Sequence, residues 1–142
     1  MSKRELTLRY LVDVRAAGRC EYCRRYKRLI GETFLEVEHI LPRSRGGLTT
    51  PSNLAFACRR CNLLKSDVIE ALDLRTEQLV ALFHPRFDQW PDHFRRSRDQ
   101  LRIYGRTASG RATVARLQFN APSEQEVRRI QRDYLFAVFP LD

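Results

Sequence analysis

Apolar positions recur at helical spacing over residues 3–17, where Leu6, Tyr10, Val14 and Ala17 mark one stripe and Gly18 supplies a stop. The pattern then changes period. Residues 33–40, TFLEVEHI, are rich in β-branched and aromatic types and alternate in part, which predicts a strand. Pro42 and the pair Gly46-Gly47 predict a loop. A second short strand is expected over 53–57, NLAFA, and a helix from Arg59 to about Ala71 with Leu63, Leu64, Val68 and Leu72 on one side. Further along, 78–83 and 101–105 read as short strands around the Pro- and aromatic-rich stretch FHPRFDQWPDHF. Helices are expected over 109–119 and from Ser123 onward. The last would open with a Ser123–Glu126 capping box and bury Val127, Ile130, Tyr134 and Val138.

Two runs of elements emerge: residues 1–70, and an extension over 71–142 expected to pack on the first. The extension's apolar side chains (Leu82, Phe83, Phe87, Trp90, Phe94, Ile103, Tyr104, Val114, Leu117, Phe119) need burial, and 65 residues alone offer a small core. Trp90 and Phe94 are read as core, and His84 and His93 as hydrogen-bonded or surface residues with no second catalytic centre. No apolar stretch reaches the ~20 residues of a membrane span, and the charged start MSKRELTLRY lacks a signal peptide's apolar region. A soluble, cytoplasmic protein is expected.

Charge sharpens this division. Residues 1–65 hold 14 Lys/Arg and 6 Asp/Glu, a balance of +8, whereas 66–142 hold 12 and 11, a balance of +1. A basic excess concentrated in one half points to a polyanionic partner, nucleic acid foremost.

The same half holds all four cysteines, as Cys20-x2-Cys23 and Cys58-x2-Cys61. Two residues between thiolates let both reach one tetrahedral ion, and a second pair completes the shell. A disulfide framework is disfavoured because nothing marks the chain as secreted. The reading is structural zinc, its shell closed by four thiolates and so without an open position for substrate. The 34 residues between the pairs exceed a simple zinc-ribbon spacing, so an element must be inserted there.

That insert reads Val37-Glu38-His39-Ile40-Leu41-Pro42, then Gly46-Gly47, then Asn53-Leu54, and Cys58-x2-Cys61-Asn62-x2-Lys65 closes the unit. In order and spacing this resembles the His-Asn-His (HNH) nucleases over residues 20–65. The resemblance implies an α+β fold: a ββα-metal finger stapled by the four-cysteine zinc site. It also implies an endonuclease that cleaves DNA, most readily duplex, with one divalent cation (magnesium or manganese) and leaves 5′-phosphate and 3′-hydroxyl ends. His39 would be the general base, since imidazole titrates near neutrality. Glu38 and Asn62 would hold the cation, Glu38 standing where Asp is more usual. Asn53 would support the hairpin and orient His39. Arg43, Arg45, Arg59, Arg60 and Lys65 are candidate phosphate contacts. The rival reading is a zinc-stabilised nucleic-acid-binding module without catalysis. Oligomeric state and target sequence are not legible.

Overall fold

The computed structural model describes residues 1–27 and 35–135. It is α+β and divides into two compact units: residues 1–69 with 84–87, and residues 70–83 with 88–142.

Unit 1 opens with helix α1 (Lys3–Ala16), started by a reciprocal Ser2–Glu5 capping box and stopped at Ala17 and Gly18, both at positive φ. The antiparallel hairpin of β1 (Leu35–His39) and β2 (Leu54–Cys58) follows, with Leu35 opposite Cys58 and His39 opposite Leu54. Helix α2 (Arg59–Lys65) leaves β2 directly and packs on the hairpin, giving the expected ββα order. The predicted strand's first two residues, 33 and 34, lie outside the described residues.

Two apolar stripes in unit 1 differ from expectation. In α1, Leu6, Tyr10 and Val14 face solvent, whereas Val12 and Ala16 are buried. The hairpin meets α1 through this other face and through arginines. Arg9 lies over the Phe56 ring and donates to the Leu35 carbonyl, and Arg15 donates to the Pro51 carbonyl. Such side chains pack their stems and hydrogen-bond with their heads, so apolarity alone picks the wrong stripe. Helix α2 is also shorter than predicted. It ends at Ser66, whose φ of 53° takes the chain out of the helix, and Leu72 belongs to a strand.

Unit 2 holds two antiparallel hairpins, β3 (Glu70–Asp73) with β4 (Gln78–Ala81) and β5 (Phe94–Arg96) with β6 (Ile103–Gly105). A short helical turn, α3 (Trp90–His93), leads into β5. Helices α4 (Ala108–Arg116) and α5 (Pro122–Ile130) follow, α5 winding on as a π turn over Gln131–Leu135. The core gathers Leu82, Phe83, Trp90, Phe94, Ile103, Leu117 and Phe119, while Phe87 and Tyr104 remain exposed. Trp90 and Phe94 are thus core residues, their ring centroids 5.0 Å apart.

Helix α5 departs most from its sequence pattern. Its N-cap is Ala121, with no side-chain cap, so the expected Ser123 box does not form. Its buried residues include Glu124 and Arg128, Tyr134 is exposed, and Val138 lies outside the described residues. The Arg128 guanidinium donates to the carbonyls of Leu101 and Phe119. These are loop carbonyls that an apolar stripe would leave unsatisfied.

Candidate functional site

The metal centre is built from three pieces of backbone. Cys20 and Cys23 sit on the knuckle after α1, Cys58 ends β2 and caps α2, and Cys61 lies in the first turn of α2. All four sulfurs lie within 4.8 Å of one another and all four residues are buried, the Cys23 and Cys58 sulfurs 3.8 Å apart. A tetrahedral ion with Zn–S bonds of about 2.3 Å requires S–S separations of about 3.8 Å, so the donor set fits zinc. The Cys20 and Cys58 sulfurs accept the amides of Cys23 and Cys61, which orients each pair. Burial raises the Cys20 thiol's pKa above its ordinary value. A dication in the nest would reverse that, because thiolates bind it directly.

The knuckle is anchored from two sides. Glu21 accepts the Phe56 amide and pairs with Arg86, which the 84–87 segment brings back to unit 1. Tyr22, 1% exposed, donates its hydroxyl to Glu38 at 2.8 Å.

Glu38 therefore points inward. Its other oxygen lies 2.6 Å from the Lys65 ammonium, and the two side chains are only 4% and 2% exposed. Lys65 also donates to the Ile40 carbonyl at 3.0 Å. Burial raises the Glu38 pKa, opposed by Lys65 and then by Tyr22. The expected phosphate contact from Lys65 is not available in this arrangement, because its ammonium sits inside the unit.

Asn62 meets a different carboxylate. Its amide donates to Glu36 at 2.6 Å, and the Arg59 guanidinium lies 3.6 Å from the same carboxylate. Glu36 was missed in the sequence. The signal was present, since Glu36 and Glu38 are two apart on one strand and share a face. As arranged, Glu38 and Asn62 are each bonded to other side chains of the unit. One carboxylate is closed by Lys65 and Tyr22, and the amide is turned to Glu36.

His39 lies on the opposite side of β1 from Glu38, as alternation requires. It is half-exposed, with Nε2 2.9 Å from the Thr49 hydroxyl. Partial burial, then the charges of Arg43 and Lys65, lower its pKa and favour the neutral imidazole.

The loop facing His39 is fixed by Asn53. Its side chain accepts the Leu41 amide and donates to the carbonyls of Leu41 and Leu48, all within 3.0 Å. Gly47 is needed there, because a Cβ at that position would stand 1.7 Å from the Leu41 carbonyl oxygen. Among the other basic candidates, Arg43 is exposed beside the loop, Arg45 is exposed and donates to the Asp67 carbonyl, Arg59 is exposed, and Arg60 is half-buried.

Residues 20–67 match the family model described as HNH endonuclease, roughly a third of the chain. The match spans both cysteine pairs, the β1–β2 hairpin and α2. No curated protein and no solved structure matches. Among the described residues no helix is long and apolar enough to cross a membrane.

Proposed function

We propose, taking residues 20–67 as an HNH domain of the zinc-binding type, that unit 1 is an endonuclease hydrolysing phosphodiester bonds of nucleic acid, duplex DNA first, with His39 as general base. The observation that carries this reading is the state of His39: half-exposed, oriented by Thr49 and biased towards the neutral form. A neutral imidazole can take a proton from a water attacking phosphorus. As that proton moves to His39, the water oxygen bonds to phosphorus. The bond to the 3′ oxygen then breaks with its electron pair, leaving a 5′-phosphate and, after protonation from solvent, a 3′-hydroxyl. Asn53 is the orienting residue in this proposal, because it holds the loop that carries Thr49. Arg43 and Arg45 are its phosphate contacts.

A magnesium or manganese requirement belongs to the proposal as a dependence to be measured. No step is assigned to an ion held by Glu38 and Asn62, because Glu38 is paired with Lys65 and Tyr22 and the Asn62 amide with Glu36. The same observation favours a second reading, a zinc-stabilised nucleic-acid-binding module without catalysis.

One experiment separates the two. Purified protein is incubated with plasmid, with and without magnesium or manganese, beside His39→Ala. Cleavage by the unmodified protein but not the variant supports the nuclease. Binding without cleavage under every metal condition sinks it and leaves the binding module.

A further inference from the structure

The overall balance of +1 over residues 66–142 conceals a local concentration. Residues 94–106, FRRSRDQLRIYGR, carry five arginines and one aspartate, a balance of +4. The remainder of that half is therefore at −3. This segment is the β5–β6 hairpin, outside the stretch that matches the family model.

The fold sorts these arginines by face. Phe94 and Ile103 are almost wholly buried, so the alternate positions point out. Arg95 and Tyr104 are cross-strand partners on that outer face, with the guanidinium 4.6 Å from the ring centroid. Arg102 and Arg106 flank Tyr104 two residues to either side, and Arg98 stands on the connecting turn; all three are exposed. Among the described residues Arg95, Arg98 and Arg102 make no ion pair. The segment's single carboxylate, Asp99, is engaged in the turn, accepting from the Ser97 hydroxyl and the Leu101 amide.

The face is also rigid. A Cβ on Gly105 would stand 2.2 Å from the Arg111 amide nitrogen, so β6 lies in backbone contact with α4. Asn120 accepts the Ile103 amide and donates to its carbonyl, both at 2.8 Å. A guanidinium stacked on an aromatic ring keeps its N–H edge free for a phosphate and loses little freedom on binding.

We infer that the outer face of the β5–β6 hairpin is a second nucleic-acid contact, binding the sugar-phosphate backbone through Arg95, Arg98, Arg102 and Arg106. Arg95 already covers one face of Tyr104. The contact therefore reads charge and spacing, and Tyr104 serves to hold Arg95 in place. It rests on the nucleic-acid reading of unit 1 only for the identity of the polyanion.

The test uses the full, zinc-loaded chain carrying His39→Ala to suppress cleavage. Anisotropy of a labelled DNA duplex is followed across a series of potassium chloride concentrations. Arg95→Gln/Arg98→Gln/Arg102→Gln is expected to weaken binding about 10- to 100-fold and to reduce the log–log salt slope by about 2 to 3, near 0.9 per lost phosphate contact. The Lys triple at the same positions keeps its charge and should keep most of the slope. Zinc content and Trp90 emission check folding. Unchanged affinity and slope in the Gln triple overturn the proposal. So does an equal loss in the Lys triple, or a loss of binding to anionic lipid vesicles with DNA binding intact. Cleavage is assayed separately in the chain with His39 restored. If that chain never cleaves while the Gln triple still loses its slope, the nuclease reading falls and the hairpin contact stands.

Discussion

Lys65→Met removes the ammonium that closes Glu38, and its cost can be worked from the geometry. At 2.6 Å the pair's Coulomb attraction is about 6 kcal/mol for an effective dielectric constant near 20. Desolvating two ions costs several kcal/mol each, so the intact pair contributes little net stability. Breaking it is another matter. Met leaves a buried carboxylate with only the Tyr22 hydroxyl and strips the Ile40 carbonyl of its donor. A loss of about 3–5 kcal/mol is expected.

The loss has a pH signature. Burial already raises the Glu38 pKa, and Lys65 is the main influence opposing that rise. Without Lys65 the folded-state pKa climbs further above the unfolded value. A carboxyl raised on folding stabilises the fold while protonated, and that contribution is lost as pH rises from the unfolded towards the folded pKa. The variant should therefore be more stable near pH 5 than near pH 8. Adding Glu38→Gln keeps an oxygen for Tyr22, removes the stranded charge, and should recover about 2–3 kcal/mol. Urea unfolding read by zinc release to a chromophoric chelator reports on unit 1. Emission of Trp90, the chain's single tryptophan, reports on unit 2. A cost below about 1 kcal/mol, the value of a surface pair, would refute the reasoning and leave Glu38 free to meet a cation.

Other expected outcomes follow from the same site. Stripping zinc, or Cys58→Ser, should unfold unit 1, seen as lost far-ultraviolet ellipticity and one zinc released per chain; unchanged ellipticity would contradict a structural ion. His39→Ala should reduce cleavage about 10²–10⁴-fold with DNA affinity retained. Because the His39 pKa is lowered, its neutral form persists to lower pH, and the rising limb of kcat/KM should lie below the ordinary value of about 6.5; a limb above that value counts against His39 as the base. Asn53→Ala deletes three loop hydrogen bonds and should cost about 1–3 kcal/mol in urea, with faster exchange of the Leu41 amide; Gly47→Ala should cost more, because its Cβ meets backbone.

How much was legible varies from residue to residue. The Cys-x2-Cys pairs announced a metal site because chelate spacing is a local property, and the fold gathers all four sulfurs. The ββα order could be read from alternation and loop residues. Alternation also required Glu38 and His39 to lie on opposite faces of β1. It could not say what stands across from each face. Lys65 reached Glu38, and Asn62 reached Glu36, only because α2 packs on the hairpin.

Periodicity and spacing alone pointed to the strand, loop, strand, helix order and to the four cysteines as one metal site, whereas the role expected of His39 rested on the resemblance to the HNH nucleases. Tertiary structure decided which charges are available. Of the basic residues that made the first half look like a polyanion surface, Arg9 and Arg15 clasp the hairpin, Lys65 neutralises a buried carboxylate, and Arg43 stays in solvent. The near-neutral second half, conversely, presents an arginine face. A side chain's charge is a property of the sequence. Whether it meets solvent, a carbonyl or a carboxylate depends on partners distant along the chain, and only packing brings those together.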